Sequence, residues 1–180
     1  MRTMLSLNES ARLTLVAVAL LAISLGAGCD TFKTTNGNVD RGNEHFSAGE
    51  YSQASEQYGK AKETLPETPE LHYDHGVALL AEGKFEDAEK ELVRALENPS
   101  DALKAKALAN LGLVRLKQAL ALKDDDPTRK EFLTKALDAL EKAVVADPKL
   151  EEARKNLELT SNYLFPPCPK REDDQEPNDK

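Results

Sequence analysis

Three histidines are the side chains best suited to do chemistry. His72 and His75 stand three positions apart, which on a helix places both imidazoles on one face, about one turn apart. Such a pair offers two ligands to a metal, whereas a structural zinc takes four. No cysteine or third close ligand accompanies them, so the pair reads as structural packing. The run Asp124-Asp125-Asp126 has the charge for calcium but lacks the alternating spacing and the glycine of a calcium loop. It reads as a solvated loop whose last aspartate caps a helix. No Ser–His–Asp or Cys–His arrangement, glycine-rich phosphate loop or paired-carboxylate pattern is present. The residues therefore point away from catalysis, with no enzyme activity, no cofactor and no metal expected.

Charge and composition narrow the class. Across 180 residues, 24 Lys and Arg stand against 32 Asp and Glu, a formal net charge of −8. Nucleic-acid binding needs a basic stripe to displace counterions, and this balance argues against it. Ala, Glu, Leu, Lys and Arg supply just over half of the chain, the composition of a largely helical protein. Two cysteines are too few for a disulfide scaffold, a structural zinc site or an iron–sulfur cluster. The length suits one domain.

The first 28 residues differ in character. Arg2 and Arg12 flank a short polar start, and an apolar run follows from Leu13 to Leu25. As a helix it spans roughly 20 Å, against a hydrocarbon core of about 30 Å, so it reads as the apolar region of a secretion signal. It leads into Leu25-Gly26-Ala27-Gly28-Cys29. Small residues at the two positions before the cysteine resemble the bacterial lipobox, with Gly26 where that motif prefers Leu. The resemblance implies a lipoprotein: a signal peptide over 1–28, and acyl chains such as palmitate on Cys29 as the membrane anchor. Two or more acyl chains hold a protein stably where one does not. Asp30 resembles the inner-membrane retention signal of enterobacterial lipoproteins. Residues 29–37 are polar and turn-rich, which suits a flexible tether.

The strongest pattern is internal. Gly42, Gly49, Ala54 and Ala61 recur as Gly76, Gly83, Ala88 and Ala95, each displaced by 34 residues, and Tyr51, Tyr58 and Lys60 return as Phe85, Leu92 and Arg94. This resembles the tetratricopeptide repeat, a helix–turn–helix unit of that length. Glycines at 42 and 76 let a second helix cross closely, those at 49 and 83 end the first helix, and the alanines form a small packing face. A third unit is elongated. Ala107, Asn110, Leu111 and Gly112 match the first helix, while Leu133, Ala136, Leu140 and Ala143 match the second, twelve residues out of step. Its arms are expected over about 101–122 and 127–146, with Asp126 as the cap. A final helix over 149–164 carries Glu158 where the others have glycine, so it caps the array. The expected fold is an all-α solenoid of about three repeats over 38–164, with units near 38–66, 69–99 and 101–148 before the cap. A charged tail over 165–180 is expected to be disordered.

The family resemblance implies where function lies. The histidines take inter-helix packing positions, and the first helices line a concave groove. Residues expected to face it include Asn43, Phe46, Tyr73, Val77, Leu80, Leu113, Leu116 and Lys117, an apolar surface suited to an extended peptide or a partner helix. Relatives that grip acidic chaperone tails use a carboxylate clamp. At the matching positions stand Val39, Asn43, Asp74, Lys106 and Asn110, of which only Asn43 and Lys106 fit. The expectation is a membrane-anchored scaffold in the bacterial cell envelope that binds an unknown protein or peptide, with the domain outside the cytoplasm. Alternatives are an assembly factor for an envelope machine, pilotin-like or an outer-membrane assembly subunit, and a periplasmic accessory protein binding a small molecule or metal. Two further expectations are local: Glu89 faces solvent, and the tip of the long hairpin leaves one side of Ala119, Leu120, Ala121, Leu122, Phe132 and Leu133 exposed unless its arms seal one another or fold over the cap.

Overall fold

The computed structural model describes residues 37–166. The expected signal peptide, Cys29, the expected tether apart from Gly37 (which is helical) and the expected tail from Pro167 onward, with Cys168, lie outside them. Among the described residues there are seven helices and no strand: α1 Gly37–Ser47, α2 Tyr51–Thr64, α3 Pro69–Glu82, α4 Phe85–Ala95, α5 Asp101–Ala121, α6 Pro127–Ala146 and α7 Glu151–Leu164. None of them is long and apolar enough to cross a membrane. Each helix packs on the next, and α3–α5 and α5–α7 also touch. This is the all-α solenoid expected from the repeat.

Local chemistry sets the ends. Thr68, Ser100 and Asp126 accept backbone N–H bonds from Leu71, Leu103 and Thr128, and Pro69 and Pro127 follow in the first helical turn, where a missing N–H is harmless. Gly49 and Gly83 have φ of +78° and +87°, so both turns between paired helices use the left-handed region that glycine enters without strain.

Packing follows from one repeated pairing. A Cβ at Gly42 would stand 2.6 Å from the Tyr58 ring, one at Gly76 2.9 Å from Leu92 Cγ, and one at Gly112 2.5 Å from Leu140 Cγ. Each glycine is a hole filled by a large side chain of the partner helix. Ala54, Ala61, Ala88, Ala95, Ala136 and Ala143 are fully buried around these contacts. Between repeats the seams are polar. Glu91 on α4 accepts from Lys62 Nζ on α2 of the preceding repeat at 2.6 Å, and within its own repeat pairs with His72 Nδ1 on α3 at 2.7 Å. Glu89 accepts from Arg115 Nε at 2.9 Å and Gln118 Nε2 at 3.2 Å, both on α5. Glu89 is thus half-buried in a seam, a correction to its solvent assignment. Period alone marks the outer face of a helix pair but not the neighbouring repeat laid over it.

At the hairpin tip, Leu116, Ala119, Leu133 and Ala136 form a buried cluster with Phe132 and Leu164 packed against it. The arms seal one another, and the end of α7 folds over them; Arg129 also stacks 5.7 Å from the Tyr163 ring centroid. Leu120 alone of the large side chains near the tip of α5 remains well exposed.

Glycine substitutions separate close packing from helix propensity. At Gly59, inside α2, a Cβ meets nothing within 4 Å, so Gly59→Ala is expected to stabilise the protein by about 0.5–1 kcal/mol. At Gly112 the Cβ also stands 3.2 Å from the Ala136 carbonyl oxygen, which cannot swing aside. Gly112→Ala is expected to lower stability by about 1–2 kcal/mol despite the same gain in propensity. Thermal unfolding monitored by circular dichroism checks both signs.

Candidate functional site

The first helices do not all close on one another. Tyr73 Oη accepts from Asn110 Nδ2 at 3.1 Å and ties α3 to α5. Direct packing of that extent is missing between α1 and α3. The gap is a hollow of about 300 Å³ lined by Asn43, Phe46 and Ser47 from α1, Tyr58 from α2, and Tyr73, Asp74 and Val77 from α3. Tyr58 lies in it because Gly42 leaves room for the ring to cross α1, and its hydroxyl then donates to Asn43 Oδ1 at 2.7 Å. That bond fixes one polar group of the wall; Phe46 is held by an edge contact with Tyr51, centroids 5.4 Å apart.

Four of the eight residues expected in the groove, Asn43, Phe46, Tyr73 and Val77, meet in this hollow. Leu80 is half-buried against the core of the second repeat, as Tyr73 and Val77 also are on their inner sides. Leu113 is half-buried and Lys117 exposed on α5, outside this hollow. Leu116 does not face a groove. It is 1% exposed and packs between the arms of the hairpin, because the longer α5 turns that face toward α6.

The groove expectation left out three residues of the hollow's lining, Ser47, Tyr58 and Asp74, and of these Asp74 carries the charge. Its position was visible only as a mismatch to a clamp. It follows Tyr73 on α3, is half-buried, and receives no hydrogen bond or ion pair among the described residues. Burial and, secondarily, the neighbouring Glu70 push its carboxyl up to about 6. Burial and the Asp74 charge in turn raise the Tyr58 hydroxyl to about 12 and push Tyr73 in the same direction. Of the other clamp positions, Val39 borders an adjoining hollow, Asn110 is spent on Tyr73, and Lys106 is exposed with its carbonyl accepting from Asn110.

The histidines occupy structural places. His72 is buried, with Nε2 3.5 Å from Glu67 and Nδ1 on Glu91; His75 Nδ1 stands 3.7 Å from Glu91, beyond hydrogen-bond reach, while its Nε2 meets Ser55 Oγ at 3.3 Å. Burial opposes charge on Glu91, but the nearby His75 and the hydrogen-bonded Lys62 and His72 hold its carboxyl well below the usual range. His45 pairs with Glu50 at 2.6 Å across the first turn. Among the described residues no group of three or more His, Cys, Asp or Glu is arranged to hold a metal ion.

A tetratricopeptide repeat model matches the chain over residues 39–102 and again over 73–125. Over residues 39–125 the chain is similar to the tetratricopeptide repeat family. Solved tetratricopeptide domains share the fold. The second such domain of human RPAP3, in complex with an HSP70 peptide SGPTIEEVD, is 24% identical, covering 69% of this chain and 92% of its own, with a TM-score of 0.57. The first domain of Spaghetti (RPAP3), bound to an HSP90 peptide SRMEEVD, is 25% identical over 71% and 90%, TM-score 0.57. The Sgt2 domain of Aspergillus fumigatus is 23% identical over 76% and 87%, TM-score 0.58. No curated protein matches the sequence. Tetratricopeptide domains are generally protein-interaction modules and not enzymes.

Asp74 gives a pH test of the groove. A folded-state pKa above the unfolded one means the folded chain binds that proton more tightly, so stability is lost as pH rises from the ordinary 3.8 through about 6. Asp74→Asn removes the charge and keeps the shape. It is expected to raise the melting temperature at pH 7.5 by a few degrees, on the order of 1 kcal/mol after allowance for partial exposure. The advantage should shrink towards pH 4.5, which parallel thermal scans measure.

Proposed function

We propose that this protein is a scaffold lipoprotein, held to a membrane of the bacterial cell envelope by acyl chains on Cys29, whose α1–α3 groove takes an extended segment of a partner protein. The observation that carries the binding part is the open hollow between α1 and α3, where Phe46, Tyr73 and Val77 offer apolar surface beside fixed polar groups. Extended peptides bind such surfaces through alternate side chains. A similar domain in Spaghetti holds a peptide, SRMEEVD, which supports a peptide as the kind of ligand. That ligand's acidic end would set carboxylates against Asp74, so the chemistry of its sequence is not carried over.

The anchor rests on the sequence around Cys29. An acidic body is repelled by anionic headgroups, so lipid and not charge would hold it. Cys29→Ala is expected to move the protein from the membrane fraction to the soluble fraction; a variant that still sediments after a high-salt wash overturns the lipoprotein reading. For the groove, a photo-crosslinking amino acid placed at Val77 in cells is expected to trap a discrete partner that Tyr73→Ala weakens by about tenfold or more, an aromatic anchor commonly contributing at least 1.4 kcal/mol. The same probe at the exposed Glu63 should not trap it. Equal trapping from both positions would place the contact elsewhere.

A further inference from the structure

Asp74 borders two hollows. One is the groove already described; the other, about 200 Å³, is lined by Val39, Leu65, Pro66, Thr68, Glu70, Leu71 and Asp74. No Lys, Arg or His stands in either wall. The groups facing Asp74 are a carboxylate, Glu70, one turn back on α3, and two phenols, Tyr73 on α3 and Tyr58 on α2. Every charge in this part of the surface is therefore negative, and the half-buried one has no described partner. The contrast with the seams is direct: Glu91 and Glu89, similarly withdrawn from water, are each supplied with cationic or amide donors. A half-buried carboxylate with no protein partner is left to water, and a ligand that displaces that water must supply a donor in its place.

We propose that the groove selects a partner segment bearing a Lys or Arg side chain, whose cationic head pairs with Asp74 while flanking apolar side chains rest on Phe46, Tyr73 and Val77. The proposal rests on the reading of the groove as a peptide site and adds the chemical class of the peptide. Charge complementarity decides it: an acidic segment meets repulsion at Asp74 and Glu70, and a purely apolar one leaves the carboxylate buried without a partner. The position of Asp74 between two apolar hollows sets the pattern, a single cation with an apolar residue on either side.

The test uses the full chain in a mild non-ionic detergent, immobilised, with a random seven-residue peptide library displayed on phage as the probe. Selection is expected to enrich Lys or Arg at one position by about fivefold or more over the input. Asp74→Asn should abolish that preference although it melts no lower than the parent, so loss of binding cannot be ascribed to unfolding. Asp74→Lys should turn the preference to Asp or Glu. Glu63→Gln removes one exposed negative charge elsewhere and should leave selection unchanged, which separates local pairing from general attraction to an acidic protein. A Lys or Arg preference that survives Asp74→Asn overturns the proposal. Enrichment of acidic or neutral peptides that Val77→Arg abolishes overturns the cation and leaves the groove intact. No enrichment, or enrichment that Val77→Arg does not touch, overturns both.

Discussion

The close crossing of paired helices at a glycine is the constraint on which the rest of the structure depends. Tyr58 follows Gly42 by sixteen positions and Leu92 follows Gly76 by sixteen; Leu140 follows Gly112 by twenty-eight. In all three the large side chain enters the space a Cβ would take. The spacing lengthens in the third unit because the insertion lies at the far end of the hairpin, leaving the crossing point unchanged. A repeat array stabilises itself through nearest neighbours, so a fixed crossing in each pair gives each unit a fixed face to present to the next. The groove is a consequence. Tyr58 fills the Gly42 hole as the other large residues do, but its ring is longer than Leu92 or Leu140 and carries a hydroxyl through to Asn43.

The seams between repeats are built differently from the pairs. Within a pair the crossing at the glycine is apolar and close. Between pairs, acids on the second helix of one unit reach donors on helices of its neighbour: Glu91 to Lys62, and Glu89 to Arg115 and Gln118. Charged hydrogen bonds at partly buried sites add geometric definition more reliably than they add stability. The division of labour makes the pairs the source of stability and the seams the means of setting one pair against the next, which is what fixes the width of a groove between α1 and α3.

Fold was legible in the sequence because its determinants are local and periodic. Gly49, Gly83, Thr68 and Asp126 act through backbone geometry within a few residues, and the 34-residue displacement exposes the crossing glycines directly. The site was legible only in part. Asn43, Phe46, Tyr73 and Val77 meet as the repeat positions imply, but Leu116 does not, because lengthening α5 and α6 gave its face a new partner. Glu89 was misplaced for the related reason that neighbouring repeats, not periodicity, cover it. Asp74 was visible as a residue type but its meaning was not, since a missing partner is a property of three-dimensional surroundings.

Glu91 and Asp74 show how surroundings assign roles to like groups. Both are carboxylates drawn away from water, and burial acts on both in the same direction, against the charge. Around Glu91, donors from two other helices more than offset that effect, and the carboxyl stays ionised as part of the framework. Around Asp74 the neighbour is Glu70, which adds to the penalty. The difference follows from place. Glu91 faces a seam closed by Lys62 of the preceding repeat and His72 of its own, while Asp74 faces the gap that α1 leaves open. A carboxylate in a closed seam is completed by the fold; one in an open groove can be completed only by what enters it. The same half-buried acid is therefore structural where the array closes and a recognition element where it stays open.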